Sequence, residues 1–339
     1  MPAKKKTTKP KTAKDGTVVP KPKFAKIAKP SPGRSAEGEY DVLNWPQPEE
    51  PRKQSRMKIG IHTSTSGGVD KAVERAYRLG CNTLQVFTSS PRMWRASTPS
   101  PQQCSDAKRL RALYDIGPMV VHVNYLTNVC SATAEFLAKS IDALRGEVER
   151  ALAVSAEYLV LHPGSWKGLT REEGLVRAAD SIAKAVDGLD LEGRFTLLIE
   201  NTAGAEHSLG GSFEQVGELL ARLRAVLPVA ACIDTCHSHV SGYDLVTASG
   251  FADTMRMLES SVGIKNVPVW HCNDAKAPRG SKLDRHENIG QGTMGVHAFA
   301  QLLNDPRLEH AAFILETPID EPGDDLRNIE TLKALVCSE

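Results

Sequence analysis

From Met57 onward, short apolar or β-branched runs alternate with amphipathic stretches. The runs read MKIGIH (57–62), NTLQVF (82–87), PMVVHV (118–123), YLVLH (158–162), FTLLIE (195–200), VAACID (229–234), VPVWHC (267–272) and AFILE (312–316). Near-continuous apolar runs of this length predict strands buried on both faces. Between them, residues 70–80, 134–156, 171–189, 213–227 and 325–336 repeat apolar side chains at spacings of three and four, as helices packed on a sheet do. Gly80 and Gly188 fall at helix exits, where a left-handed cap suits glycine. Eight strand-plus-helix units predict an α/β fold of the (β/α)8 TIM-barrel type over residues 57–339. The rival, an open doubly wound sheet, lacks its phosphate fingerprint. STSGGVD follows the first run without the GxGxxG spacing, so no dinucleotide site is expected.

The polar residues of the runs change the picture. His122 and His271 lie near the ends of the third and seventh runs. His162, Glu200, Asp234 and Glu316 end the fourth, fifth, sixth and eighth. Six successive strands thus bring a His or a carboxylate to the C-terminal face, where barrels of this type carry their active sites. Three carboxylates buried together would repel one another, and divalent cations resolve that repulsion. His237, Asp284 and His286 add donors from adjoining loops. Imidazole plus carboxylate suits zinc first, with manganese or iron as alternatives, and nine donors exceed one tetrahedral zinc. Two or three ions are implied, with a carboxylate such as Glu200 able to bridge, a recurrent device of phosphodiester chemistry. The stretch ACIDTCHSHVSGYDL (231–245) offers Cys232, Cys236 and His239 as well. Cys232 shares the inward parity of Asp234 one layer deeper and is expected to be a small core residue.

Charge divides the chain. The 42 Lys/Arg and 41 Asp/Glu nearly cancel, but residues 1–34 hold eleven Lys/Arg and one acid, Asp15, leaving the remainder at net −9. That segment is Lys/Pro-rich and poor in apolar residues, so residues 1–56 are expected to be a disordered basic tail followed by a linker from 35 to 56, ahead of a catalytic domain at 57–339. A basic arm of this kind raises affinity for a polyanion by counterion release. Seven cysteines without regular spacing argue against a disulfide framework and for a reducing compartment. No apolar run reaches membrane-spanning length and no apolar leader follows Met1, so neither a membrane partner nor secretion is expected.

VVHVNYLTN, LVLHPGS, LLIENTAG, CIDTCHSHVSGYDL, HCNDAKAPRGSKLDRHENIGQG and FILETP resemble, in order and spacing, the signatures of the endonuclease IV family, zinc-dependent apurinic/apyrimidinic endonucleases of base-excision repair. The likeness runs from about Met57 to the C-terminal helix and leaves out residues 1–56. It implies a barrel holding three Zn2+, with Mn2+ as a substitute. His122, His162 and Glu200 would hold the first ion. Glu200 would bridge to a second held also by Asp234, His271 and Glu316, and His237, Asp284 and His286 would hold the third. Glu200, Asp234 and Glu316 are then the carboxylates expected to carry catalysis. The implied reaction cuts the phosphodiester 5′ to an abasic sugar, leaving a 3′-hydroxyl and a 5′-deoxyribose phosphate. The implied partner is double-stranded DNA with abasic sites or 3′-blocked ends, bound by a monomer in a bacterial cytoplasm at the nucleoid, or in a nucleus addressed by AKKKTTKPK. DNA-contacting residues carried over are Arg92, Met93, Tyr125 and Leu126, with His62 beside the site; Met93 and Asn124 depart from the polar residue and small Ser that the family pattern leads one to expect. Cys236 and His239 have no family role and are expected to pack or cap. Two other readings stand beside this one: a xylose-isomerase-like sugar isomerase or epimerase, needing one or two ions, and a non-catalytic DNA-binding protein acting through its tail.

Overall fold

The computed structural model describes residues 36–91, 93–94, 97–191 and 193–337. Eight parallel strands close into a barrel: β1 (Lys58–His62), β2 (Thr83–Val86), β3 (Met119–His122), β4 (Tyr158–Leu161), β5 (Thr196–Glu200), β6 (Val229–Asp234), β7 (Val269–His271) and, after a two-stranded hairpin β8 (Asp274–Ala275) and β9 (His286–Glu287), β10 (Ala312–Leu315). The expected TIM barrel is present, and each predicted run contains its strand. β7 starts later than its run because Pro268 has no N–H to give the ladder.

The helices are α1 (Ala36–Tyr40), α2 (Val69–Arg78), α3 (Pro101–Tyr114), α4 (Ala134–Ala153), α5 (Arg171–Val186), α6 (Phe213–Leu223), α7 (Thr235–Ser241), α8 (Ala248–Ser261), α9 (Gly295–Leu303) and α10 (Asp324–Leu335). Capping boxes start two of them. Ser100 pairs with Gln103 at α3 and Thr170 with Glu173 at α5, each satisfying otherwise orphaned N–H groups.

Strand parity sorts the side chains into layers. Outward residues such as Ile59, Ile61, Leu84, Met119, Val121, Leu197, Ile233 and Trp270 join the large core between strands and helices. Inward, Val120, Val160, Leu198, Cys232, Val269 and Ile314 form a separate, fully buried plug inside the barrel. Two residues further along the same six strands stand His122, His162, Glu200, Asp234, His271 and Glu316. The plug is the apolar floor of a polar layer. Its remaining sector is closed by Gly60, where an added Cβ would meet the Thr83 carbonyl oxygen at 2.1 Å, so β1 and β2 approach where only glycine fits.

Residues 38–56, within the expected linker, lie against the barrel as a strap. Asp41 pairs with Arg75 through two hydrogen bonds of 2.7 and 3.0 Å, and Gln54 donates to the carbonyls of Cys81 and Tyr114. The basic tail expected at 1–34 lies outside the described residues.

Candidate metal centre

All nine donors expected from the sequence converge at the C-terminal mouth of the barrel. Their ligand atoms fall into compact groups, each within 4.8 Å: His122, His162 and Glu200; Glu200, Asp234, His271 and Glu316; and His237, Asp284 and His286. Glu200 joins the first two groups. Its Oε2 lies 3.1 Å from His122 Nε2 and 2.9 Å from His162 Nε2, while its Oε1 lies 3.1 Å from His271 Nδ1. A fourth, overlapping group contains Asp234, Cys236 and His286.

Local structure explains how short segments deliver these atoms. Asp234 ends β6 and caps α7, its Oδ1 accepting from the His237 N–H at 2.7 Å. Carboxylate and imidazole thus sit three residues apart with fixed geometry. Asp284 and His286 come from the β8–β9 hairpin, where Ala275 is the register partner of His286. That hairpin is held by Asp274, fully buried, whose carboxylate accepts from the N–H groups of Ala275, Gly290, Gly292, Met294 and Gly295. Gly292 allows the approach, since an added Cβ there would stand 2.4 Å from Asp274 Oδ1 and from the Ala275 carbonyl.

The imidazoles show whether cations fit. His122 Nδ1 lies 2.7 Å from the Val123 carbonyl, His237 Nδ1 2.9 Å from that of Asn201, and His286 Nδ1 3.1 Å from that of Glu316. A carbonyl only accepts, so each Nδ1 carries the proton, and each Nε2 is turned toward a carboxylate: Glu200 for His122, Asp284 for His237 at 3.2 Å and for His286 at 3.3 Å. His271 is oriented the other way, its Nε2 2.8 Å from the side-chain amide oxygen Oε1 of Gln85 and its Nδ1 facing Glu200 and Glu316. A lone pair aimed at a carboxylate needs a proton or a metal ion between them, and a ring held by its other nitrogen is the usual arrangement of a metal-ligating histidine. His286 Nε2 is buried and makes no hydrogen bond, although the Asp284 and Asp234 carboxylates stand 3.3 and 3.8 Å away. The donor set therefore fits divalent cations of the zinc type.

With only protons to balance the charges, the groups perturb one another strongly. Burial opposes ionisation of Glu200, but His162, His271 and His122 outweigh it and hold its carboxyl well below the usual range. Burial likewise opposes charging of His237 and His286. Asp234, Asp284 and Glu200 nevertheless hold His237 well above its ordinary value, and Asp284, Asp234 and Glu316 raise His286 to about 9.

His62 stands behind Glu316, its Nδ1 3.6 Å from Glu316 Oε1 and 3.0 Å from Gln85 Nε2. Gln85 donates to Glu316 Oε1 at 2.6 Å and orients His271, although no motif in the sequence singles it out. A fully buried Gln in an apolar strand was the available signal. Asn201 and Asn273 were missed too. Asn201 Oδ1 accepts from the Asp234 N–H, and Asn273 donates to Asp234 Oδ2 at 2.6 Å.

Tyr125 rises over the site, 61% exposed, its ring edge-on to Phe87 at 5.3 Å and near His122 at 5.8 Å. Buried Asn124 shapes this loop by accepting from the Leu126 N–H at 3.0 Å, so Leu126 is held half-buried beside it. Met93 is 57% exposed, and Trp94 meets Phe136 edge-on. Arg92 lies outside the described residues. A cleft of about 350 Å3 opens between Tyr125, His162, His237 and Asp284, walled further by Thr202 and Ser208. Cys232 belongs to the barrel's apolar plug, and His239 Nε2 contacts the Thr293 hydroxyl at 3.1 Å, a packing role.

Residues 73–335 match a family described as xylose isomerase-like TIM barrel. A probable endonuclease 4 from Solibacter usitatus is 48% identical over 286 residues, covering 84% of this chain and 98% of that protein. One from Cenarchaeum symbiosum is 39% identical, covering 82% and 99%. Among solved structures, endonuclease IV from Thermus thermophilus superposes with a TM-score of 0.74 at 35% identity, over 82% of this chain and 98% of that one. A D-tagatose 3-epimerase-like protein, with a TM-score of 0.60 at 18% identity over 82% and 97%, shares the fold alone. With relatives matched over nearly their whole length at these identities, the chain belongs to the endonuclease IV family.

Proposed function

We propose that this DNA-repair endonuclease hydrolyses the phosphodiester 5′ to abasic sites in duplex DNA, leaving a 3′-hydroxyl and a 5′-deoxyribose phosphate, with three zinc ions held by the nine converging residues. One observation carries the reading: four imidazoles fixed by one ring nitrogen turn the other toward carboxylates, His122 and His271 toward Glu200 and His237 and His286 toward Asp284. Bound zinc would supply charge neutralisation at the phosphate and acidify water at neutral pH.

The chain's own residues do the rest. His122, His162 and Glu200 would take one ion, Glu200 with Asp234, His271 and Glu316 the second, and His237, Asp284 and His286 the third. Glu200 is suited to bridge because its two oxygens face different groups. Gln85 and Asn273 fix the rotamers of Glu316 and Asp234 by donating to them. Tyr125 and Leu126, on a loop braced by Asn124, would fill the gap left by a missing base, with Met93, Arg92 and His62 assigned as further DNA contacts. A missing base lowers the cost of unstacking the lesion nucleotide, which adds selectivity. Duplexes with 3′-blocked ends present the same phosphate and are proposed as further substrates. The sugar-epimerase reading has no use for the third group and is not favoured.

The test is incubation of zinc-loaded protein with a duplex carrying one abasic analogue. A nick immediately 5′ to the lesion, abolished by EDTA, is expected; an intact duplex, or cleavage only on the 3′ side, refutes the assignment.

A further inference from the structure

Arg75 ties the strap to the loop after β1. Its Nη1 donates at 2.9 Å to the carbonyls of both Ser64 and Ser66 in that loop. Its Nε and Nη2 take the two oxygens of Asp41 in the strap. Arg75 is 7% exposed, and among the described residues Asp41 is the carboxylate paired with it. Removing one partner of such a pair leaves the other charge buried and uncompensated. The Arg75 hydrogen bond holds the Asp41 carboxyl below its usual range, against burial. Asp41 is itself fixed by its neighbours. Its Oδ1 accepts from the Leu43 N–H, Val42 is buried, and Arg78 donates to the Leu43 carbonyl. The Tyr40 hydroxyl donates to the Asp320 carbonyl in the loop after β10. Arg75 lies within the matched family region and Asp41 precedes it.

The loop that Arg75 holds, residues 63–68, leaves β1 directly after His62 at the mouth of the barrel. It ends in Gly67 and Gly68, both at positive φ, so its own backbone preferences restrain it little. The Thr65 hydroxyl docks it on β2 by donating to the Phe87 carbonyl at 3.2 Å. The Phe87 ring lies against three rings of the mouth, His62 at 4.4 Å, His122 at 5.4 Å and Tyr125 at 5.3 Å. We infer that Asp41 is a positioning residue of the incision site: through Arg75 it fixes the loop after β1, and through Thr65 that loop fixes Phe87, the ring that seats Tyr125. The strap is then a working part of the catalytic domain rather than a linker to it. The inference rests on the proposed role of Tyr125 at the lesion and adds to it the residues that set its position.

The experiment compares full-length Asp41→Asn, Thr65→Val and their double variant with Gln54→Ala. The last removes the strap's contacts to the Cys81 and Tyr114 carbonyls, away from the mouth, and serves as the control for loosening of the strap alone. KM and kcat are measured on a duplex with an abasic analogue, together with zinc content and hydrogen exchange of residues 63–68. Asp41→Asn is expected to speed that exchange and to raise KM about three- to tenfold, with kcat and zinc content close to native. Thr65→Val leaves the ion pair intact and is expected to raise KM to a similar extent. The double variant should be no worse than the stronger single one, because both act on one line of contacts. Asp41→Glu, which keeps the charge, should recover part of the native KM. Gln54→Ala should lower Tm and leave KM native. Native KM in Asp41→Asn overturns the inference, as does an equal rise in Gln54→Ala or full additivity in the double variant. Should Asp41→Asn fail to fold, Thr65→Val decides, and native KM there overturns the inference as well. Absence of nicking by the native protein would count against the proposed activity. The exchange comparison would still test the loop, and native exchange at residues 63–68 in Asp41→Asn would refute the role of Asp41.

Discussion

Asp274→Asn tests how the third group of donors is held in place. The carboxylate takes five backbone N–H groups, two on Oδ1 and three on Oδ2, at 2.8–3.3 Å. Burial raises its pKa and the N–H donors pull it back. Asparagine keeps one acceptor oxygen and turns an NH2 toward the other N–H groups. In the better orientation it keeps the three bonds of Oδ2 and leaves two buried donors unpaired, at about 1–3 kcal/mol each, so roughly 2–6 kcal/mol in all. The strain falls on the β8–β9 hairpin and the turn at 288–295, while the barrel strands keep their ladders. Asp284 and His286 ride on that hairpin, so the third ion should bind about 10–100-fold more weakly, the usual cost of losing a residue that orients a ligand. Chelator-competition titration reads the affinity, and hydrogen exchange of residues 286–295 reads the loosening. Native exchange together with full metal affinity would refute the reasoning.

Glu200→Gln removes the charge shared by two groups and should lower the nicking rate by several orders of magnitude while reducing bound metal, measured on the same sample by kinetics and elemental analysis. Retention of most activity excludes a bridge. Tyr125→Ala and Leu126→Ala should raise KM on abasic duplex several-fold and leave metal content at the native value; loss of metal instead would mean that this loop supports the site rather than the DNA. Asp325 has a buried oxygen without a partner, and burial beside Asp324 lifts its carboxyl to about 7. A carboxyl raised in the folded state costs stability as pH rises from its unfolded value toward the folded one. Asp325→Asn should therefore stabilise the protein at pH 8 by roughly 2–4 kcal/mol and much less at pH 4, as read by thermal melts at both pH values. A stabilisation that grows as pH falls would reverse the sign of that argument.

The strands and six of the nine donors were legible because a barrel strand buried on both faces writes a continuous apolar run, and any His or carboxylate ending it stands out. Inward parity carried Cys232 correctly to the floor of the site. Short or locally stabilised features left weaker marks. The strands of the β8–β9 hairpin are two residues each, too short for any period, and its geometry depends on five backbone donors to Asp274. α3 is polar along most of its length, with Ala107 its one buried residue, and its start is signalled by the Ser100 and Gln103 capping box rather than by an apolar stripe. The strap follows a Pro- and charge-rich composition that reads as linker, yet its arginine and glutamine contacts are to backbone carbonyls, which leave no pattern in sequence. Gln85, Asn201 and Asn273 act on the donors through single hydrogen bonds, and only strand parity, applied to polar residues inside apolar runs, would have flagged Gln85.

The count of zinc bound per chain, by native mass spectrometry after loading and removal of loosely held ions, bears most directly on the proposed centre. Close to three ions is the predicted result, falling toward two when His237, Asp284 or His286 is replaced by alanine. One or two ions in the native protein, unchanged by those replacements, would contradict a third group and with it the assignment of the nine residues.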